Sequence, residues 1–84
     1  MIRYLITTFR TPQFDPSVIE AHYAFLDGLR AEEKLELAGP FTDKSGGAYL
    51  IRAANMEEAK MLAFSDPLCI SKSSLVTVYE WDAN

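Results

Sequence analysis

The first and last β-prone stretches of this chain are apolar in both phases of a strand, which constrains its fold more than any motif does. Ile2 to Phe9, IRYLITTF, sets Ile2, Tyr4 and Ile6 on one face and Leu5 and Phe9 on the other. Leu75 to Trp81, LVTVYEW, opposes Val76 and Val78 to Tyr79 and Trp81. Strands of this kind are buried on two sides. Between them the sequence has room for two helical segments, and two helices cover only one face of a four-stranded sheet. The other face needs a cover that the chain does not carry, and a second copy packed face to face is the economical answer.

The rest of the pattern places those elements. Asp15 can N-cap a helix and Pro16 suits its first position, so a helix is expected from there to about Glu33. Lys34 to Ala38 alternates as a second strand, stopped by Gly39-Pro40 because proline cannot donate to a ladder. Phe41 to Gly47 reads as a loop ending in a Gly-Gly hairpin turn, and Ala48 to Ala53 as the third strand. Asn55 with Glu58 starts a second helix from Met56 to about Ser65. Asp66-Pro67 closes it, since the residue before proline disfavours helical geometry. A connection through Ser74 then leads to the fourth strand. The order is β-α-β-β-α-β, a ferredoxin-like α+β arrangement in a single domain over residues 1–84.

The first helix carries the only histidine at the centre of its apolar face. Projected at about 100° per residue, Val18, Ile19, Phe25, Leu26 and Leu29 fall within about 60° of His22. An inward ring must be satisfied by a partner or be there for chemistry. The helix alone leaves both readings open.

Composition removes several classes of function. Eight basic against twelve acidic residues give a net charge of −4 with no basic cluster, so nucleic acid is not expected as a partner. No apolar run approaches the ~18 residues that span a bilayer, and the N-terminus lacks a signal peptide's layout. Neither membrane association nor secretion is expected. Cys69 is the single cysteine, which excludes an intramolecular disulfide and suits a reducing cytoplasm. With no histidine near it in sequence, Cys69 reads as a packing residue rather than a nucleophile. No ligand set for a metal and no glycine-rich phosphate loop is present, and no cofactor is expected.

Taken in order, His22, the stretch KLELAGPFTDKSGG (Lys34 to Gly47), NMEEAKMLAF followed by SDP (Ser65 to Pro67), and the final VTVYEW resemble the YciI-like proteins. These are small members of the dimeric α+β barrel group, related to muconolactone isomerases and chloromuconolactone dehalogenases. The resemblance spans essentially the whole chain. Where the family usually has an aromatic after Asp-Pro and then a glycine, this chain has Leu68 and Ser71-Lys72-Ser73. The resemblance implies a homodimer with a small pocket in each subunit beside a catalytic His–Asp pair, here His22 and Asp66. It also implies cofactor-free isomerisation, elimination or dehalogenation of a small cyclic or aromatic-derived acid.

Such a pair makes chemical sense. A carboxylate bonded to one ring nitrogen fixes the tautomer and favours the imidazolium that forms when the other accepts a proton. The plainer reading of Asp66 is a turn-forming Asp-Pro. Asp43 is the other candidate carboxylate, and Gly39 and Pro40 are candidate substrate-binding residues at a strand end. Tyr4, Tyr49 and Phe41 could line an apolar pocket or fill the core, and nothing nearby activates Ser65 or Ser74. For an anionic substrate, Arg3, Arg10, Arg52 or Lys72 should stand at the pocket mouth. The alternative to an enzyme is a non-catalytic dimeric module that binds a small ligand or a partner protein.

Overall fold

A computed structural model describes residues 2–84. Four strands, β1 (Arg3–Arg10), β2 (Leu35–Pro40), β3 (Gly46–Arg52) and β4 (Ser74–Trp81), form one antiparallel sheet in the order β2-β3-β1-β4. Helices α1 (Ile19–Ala31), α2 (Met56–Ala63) and a short α3 (Pro67–Ile70) pack on one face. The arrangement is the ferredoxin-like α+β fold that the element order predicts.

Alternation along the strands divides the sheet into two unlike faces. Tyr4, Ile6, Tyr49, Ile51 and Val76 point toward the helices and form the core with Leu26, Leu29, Ala59 and Ala63. Ile6 and Ile51 are fully buried, each contributing about 1.5–3 kcal/mol of hydrophobic stabilisation. The opposite face has no cover from the described residues. Leu37 is 70% exposed, Leu75 64% and Tyr79 52%, with Phe9 and Trp81 close behind. At one end of that face Glu36 lies between Arg3 (Nε to Oε2, 2.6 Å) and Arg52 (Nη2 to Oε1, 2.7 Å). The Arg52 hydrogen bond foremost holds the Glu36 carboxyl below its ordinary range.

Three local expectations are corrected. Gly39-Pro40 does not stop β2: Gly39 pairs with Ala48 and Pro40 with Gly47. Because β2 is an edge strand, the missing proline N–H has no ladder partner to leave unsatisfied. Gly46-Gly47 is not a turn but the start of β3, opposite Phe9 and Thr8. The turn falls at Phe41–Ser45, where Lys44 takes φ 65° and Asp43 Oδ1 accepts from Ser45 N at 2.9 Å. A Cβ on Gly46 would overlap the Thr8 carbonyl, so glycine is needed there for close strand approach. The third correction is α3, absent from the reading of Asp66-Pro67 as a mere helix stop.

Helix starts follow their caps. Asp15 accepts from Ser17 N at 2.9 Å and opens a 3-10 turn, Pro16–Val18, that runs into α1. Asn55 accepts from Glu58 N at 2.8 Å to start α2. Gly28 lies within α1, where a Cβ would meet open space. Gly28→Ala should therefore raise stability by about 0.5–1 kcal/mol. Gly46→Ala should lower it by about 2–3 kcal/mol by forcing β1 and β3 apart. Urea melts of the two variants check both signs.

Candidate functional site

Asp66 is the residue on which this region is built. It follows α2, sits at 0% exposure and accepts from Leu68 N at 2.9 Å, which makes it the N-cap of α3 with Pro67 in the first helical position. Both of its oxygens lie 2.9 Å from His22 Nδ1 on α1, which donates its proton to them. Tyr49 on β3 donates its hydroxyl to Oδ2 at 3.3 Å. Three donors from a helix, a strand and a helix start thus converge on one buried carboxylate.

The arrangement sets the histidine. With Nδ1 committed to Asp66, Nε2 is the ring nitrogen left with a free lone pair. It has no hydrogen-bond partner among the described residues, and His22 lines a cavity of about 190 Å³. The Tyr49 and Tyr23 rings flank the imidazole, with centroids at 6.1 and 5.6 Å. Leu26, Leu68 and Phe14 supply apolar wall, and the β2–β3 ladder supplies backbone through Gly39, Pro40, Gly46 and Gly47. A volume of about 150 Å³ admits a benzene-sized ring, so this cavity has space for a ring with small substituents.

Of the residues the sequence singles out, His22, Gly39 and Pro40 line one cavity, with Asp66 directly behind the imidazole. Asp43 does not join them. Its carboxylate is spent on Ser45 N in the solvated β2–β3 turn, and those hydrogen bonds hold it below its ordinary range. Tyr49 serves both core and site, whereas Tyr4 is buried in the core and Phe41 stacks on Phe9 at 5.6 Å. Of Arg3, Arg10, Arg52 and Lys72, Arg10 alone lines the cavity; Arg3 and Arg52 are held by Glu36. Thr8, Asp27 and Arg30 also line it, and the sequence reading passed over them. Arg30 follows His22 by eight residues and falls about 80° around the helix from it, outside the apolar stripe, so helical spacing gave no reason to single it out. Ser74, discounted as a nucleophile, lines the cavity as well.

Burial first, and then the charge of Asp66, push the Cys69 thiol above its ordinary value. A thiol held protonated is a poor nucleophile. No cluster of side chains able to hold a metal ion occurs among the described residues, and no helix there is long and apolar enough to cross a membrane.

The YCII-related domain matches residues 2–82, and the chain belongs to that family. It is 47% identical over 81 residues to the uncharacterized protein YjpA of Bacillus subtilis (strain 168), covering 96% of this chain and 95% of that protein. Among solved structures it is similar to the 5-chloro-2-hydroxyhydroquinone dehydrochlorinase TftG of Burkholderia phenoliruptrix AC1100, determined in complex with 2,5-dihydroxybenzoquinone. That match has a TM-score of 0.76 at 21% identity, over 98% of this chain and 95% of the other. An antibiotic biosynthesis monooxygenase matches at TM-score 0.63 and 14% identity, over 100% and 99%. At these identities the two structures share the fold.

Tyr49 makes the site legible in stability. Burial, and after it the Asp66 charge, raise its phenol far above the ordinary 10.0. A raised value in the folded state contributes stability that is complete below pH 10.0 and lost as pH climbs further, because the unfolded chain then releases a proton the folded chain keeps. Tyr49→Phe should cost about 1 kcal/mol at neutral pH for the lost hydrogen bond. It should also flatten the alkaline arm of stability, so that denaturant melts at about pH 7 and about pH 11 differ less than in the parent.

Proposed function

We propose that this protein is a cofactor-free enzyme that moves a proton on a small cyclic or aromatic-derived acid, with His22 as the acid–base group and Asp66 as its orienting carboxylate. The observation that carries this reading is the pairing of a wholly buried carboxylate with His22 Nδ1, which leaves Nε2 for a ring-sized cavity. In the reaction, Nε2 takes a proton from a ring carbon that an adjacent carbonyl acidifies. The electron pair left behind forms an enolate, and the Asp66 carboxylate stabilises the imidazolium. Returning the proton at another ring carbon completes an isomerisation. Departure of halide from the neighbouring carbon instead completes an elimination. Gly39 and Pro40 bound the substrate from the β2 side. The dehydrochlorinase that shares this fold acts on a substituted six-membered ring, the size the cavity admits.

If the two residues act as one unit, His22→Gln and Asp66→Asn should each lower kcat by about 10³-fold or more, and the double variant should be little worse than either. Turnover of ring lactones and chlorinated hydroxyhydroquinones, followed by ultraviolet absorbance, provides the assay. Additive losses would mean that Asp66 does not act through the histidine.

The same reading includes a homodimer assembled through the open sheet face and a cytoplasmic location, in keeping with the half-buried, lone Cys69. A face with Leu37, Leu75 and Tyr79 each more than half exposed favours a covered state. Light scattering should give twice the chain mass at micromolar concentration. Tyr79→Lys should shift the protein to monomer, whereas Thr77→Lys at the half-buried centre of the same face should do so more severely. A native monomer would overturn the assembly.

A further inference from the structure

Among the described residues, one cation that lines the cavity is left without a carboxylate partner. Of the four arginines, Arg3 and Arg52 are tied to Glu36, and Arg30 Nη1 is tied to Asp27 Oδ1 at 2.9 Å. Arg10 has no carboxylate partner and no side-chain hydrogen bond among the described residues. Its guanidinium instead lies over the Phe14 ring, 4.2 Å from the centroid, a cation–π contact that orients the fork without consuming its N–H donors.

Its neighbour across the sheet is also unspent. Ser74 is the register partner of Arg10 at the end of the β1–β4 ladder, and residues directly opposite in an antiparallel pair share a face. Both line the cavity that His22 lines. Ser74 is only 6% exposed, its hydroxyl makes no hydrogen bond among the described residues, and it is one of the residues that line the cavity. A hydroxyl free on a cavity wall is available to donate to a ligand held in that cavity. The remaining ionisable groups there are Tyr23, Tyr49 and His22, with the Asp27–Arg30 pair neutral as a unit and Asp66 behind the histidine.

We propose that Arg10 and Ser74 form the anion-recognising end of this cavity and that its ligand is a ring-sized monocarboxylate. The guanidinium fork takes both carboxylate oxygens, and the Ser74 hydroxyl donates to one of them. One unpaired cation fits one negative charge, and the planar fork matches a carboxylate's two oxygens. The inference rests on the acid–base reading for what happens to the ring, but not for how the acid is held. It makes Arg10 and Ser74 specificity-determining residues, with no role in proton transfer.

Benzoate and its neutral isostere benzamide test this on the intact protein by ¹H–¹⁵N NMR titration. Benzoate should bind at least about tenfold more tightly than benzamide, as expected for a charge-assisted pair, and shift the Arg10, His22 and Ser74 resonances. Arg10→Gln should abolish the preference, Arg10→Lys should keep part of it, and Ser74→Ala should weaken benzoate several-fold while leaving benzamide unchanged. Arg30→Gln, whose cation is already paired, should change benzoate affinity less than about threefold. Equal binding of the two probes, a larger loss in Arg30→Gln than in Arg10→Gln, or no cavity shifts at millimolar benzoate would each overturn the proposal. Benzoate is not turned over, so its binding stands or falls separately from catalysis by His22.

Discussion

The Asp66 carboxylate is the interaction on which the helical layer depends. A carboxylate with no exposed surface costs several kcal/mol in desolvation unless its lone pairs are met, and here His22 Nδ1, the Tyr49 hydroxyl and Leu68 N meet them. Those donors belong to α1, β3 and the start of α3. One side chain therefore fixes the position of the first helix over the sheet and begins the turn leading back into β4. The same three bonds decide the histidine's tautomer, so structural and chemical roles cannot be separated at this residue. Replacing it with an apolar group would leave three donors unpaired in the interior.

Much of this was legible in the sequence because the relevant signals are local. Asp15-Pro16 and Asn55-x-x-Glu58 marked helix starts, and the two-phase apolar strands revealed a sheet with a face left over. The misreadings share a cause: the same local signal has two meanings that only tertiary context separates. Asp-Pro at 15–16 and at 66–67 is in both cases an N-cap with proline in the first helical position. At the second occurrence a preceding helix made the proline look like a terminator alone, and α3 was lost. Gly46-Gly47 is composed like a hairpin turn, but its glycines answer to backbone approach, from Thr8 at Gly46 and from the Gly39 carbonyl at Gly47. Gly39-Pro40 reads as a strand stop only if the strand is internal, and nothing local says that β2 is an edge.

The candidate site divides along the same line. His22 was conspicuous as the lone histidine on an apolar stripe, and its partner was reached through a family resemblance rather than through spacing. Asp43, in the loop after Gly39-Pro40, was the other candidate carboxylate in the sequence. The difference is exposure: Asp43 satisfies itself on a neighbouring amide in water, while Asp66 is enclosed and must recruit distant donors. Arg10 could be named as a cation but not chosen among several, since the choice depends on which arginines already have carboxylates beside them.

For a chain with a net charge of −4 to bind an anion, as proposed, it must concentrate its positive potential where the anion goes. The distribution of ion pairs does this by subtraction. Glu36 neutralises two arginines at the sheet's open face, Asp27 neutralises Arg30 at the cavity, and among the described residues the Arg10 guanidinium there has no carboxylate partner. The cavity and the open face are also close neighbours, because Ala38, Gly39 and Ala48 border both the His22 cavity and a shallow apolar hollow formed by Leu5, Leu37, Leu50 and Trp81. Tyr49 borders both as well; apart from it, the wall between them is β2–β3 backbone carrying no side chain larger than a methyl group. In the proposed dimer the partner would fill the hollow and press on that wall from outside, so the edge strand bounding the substrate would be held by assembly as well as by its own ladder. A reason follows for small residues at these positions: larger ones would fill either the cavity or the hollow, and each side of this thin wall has something to receive.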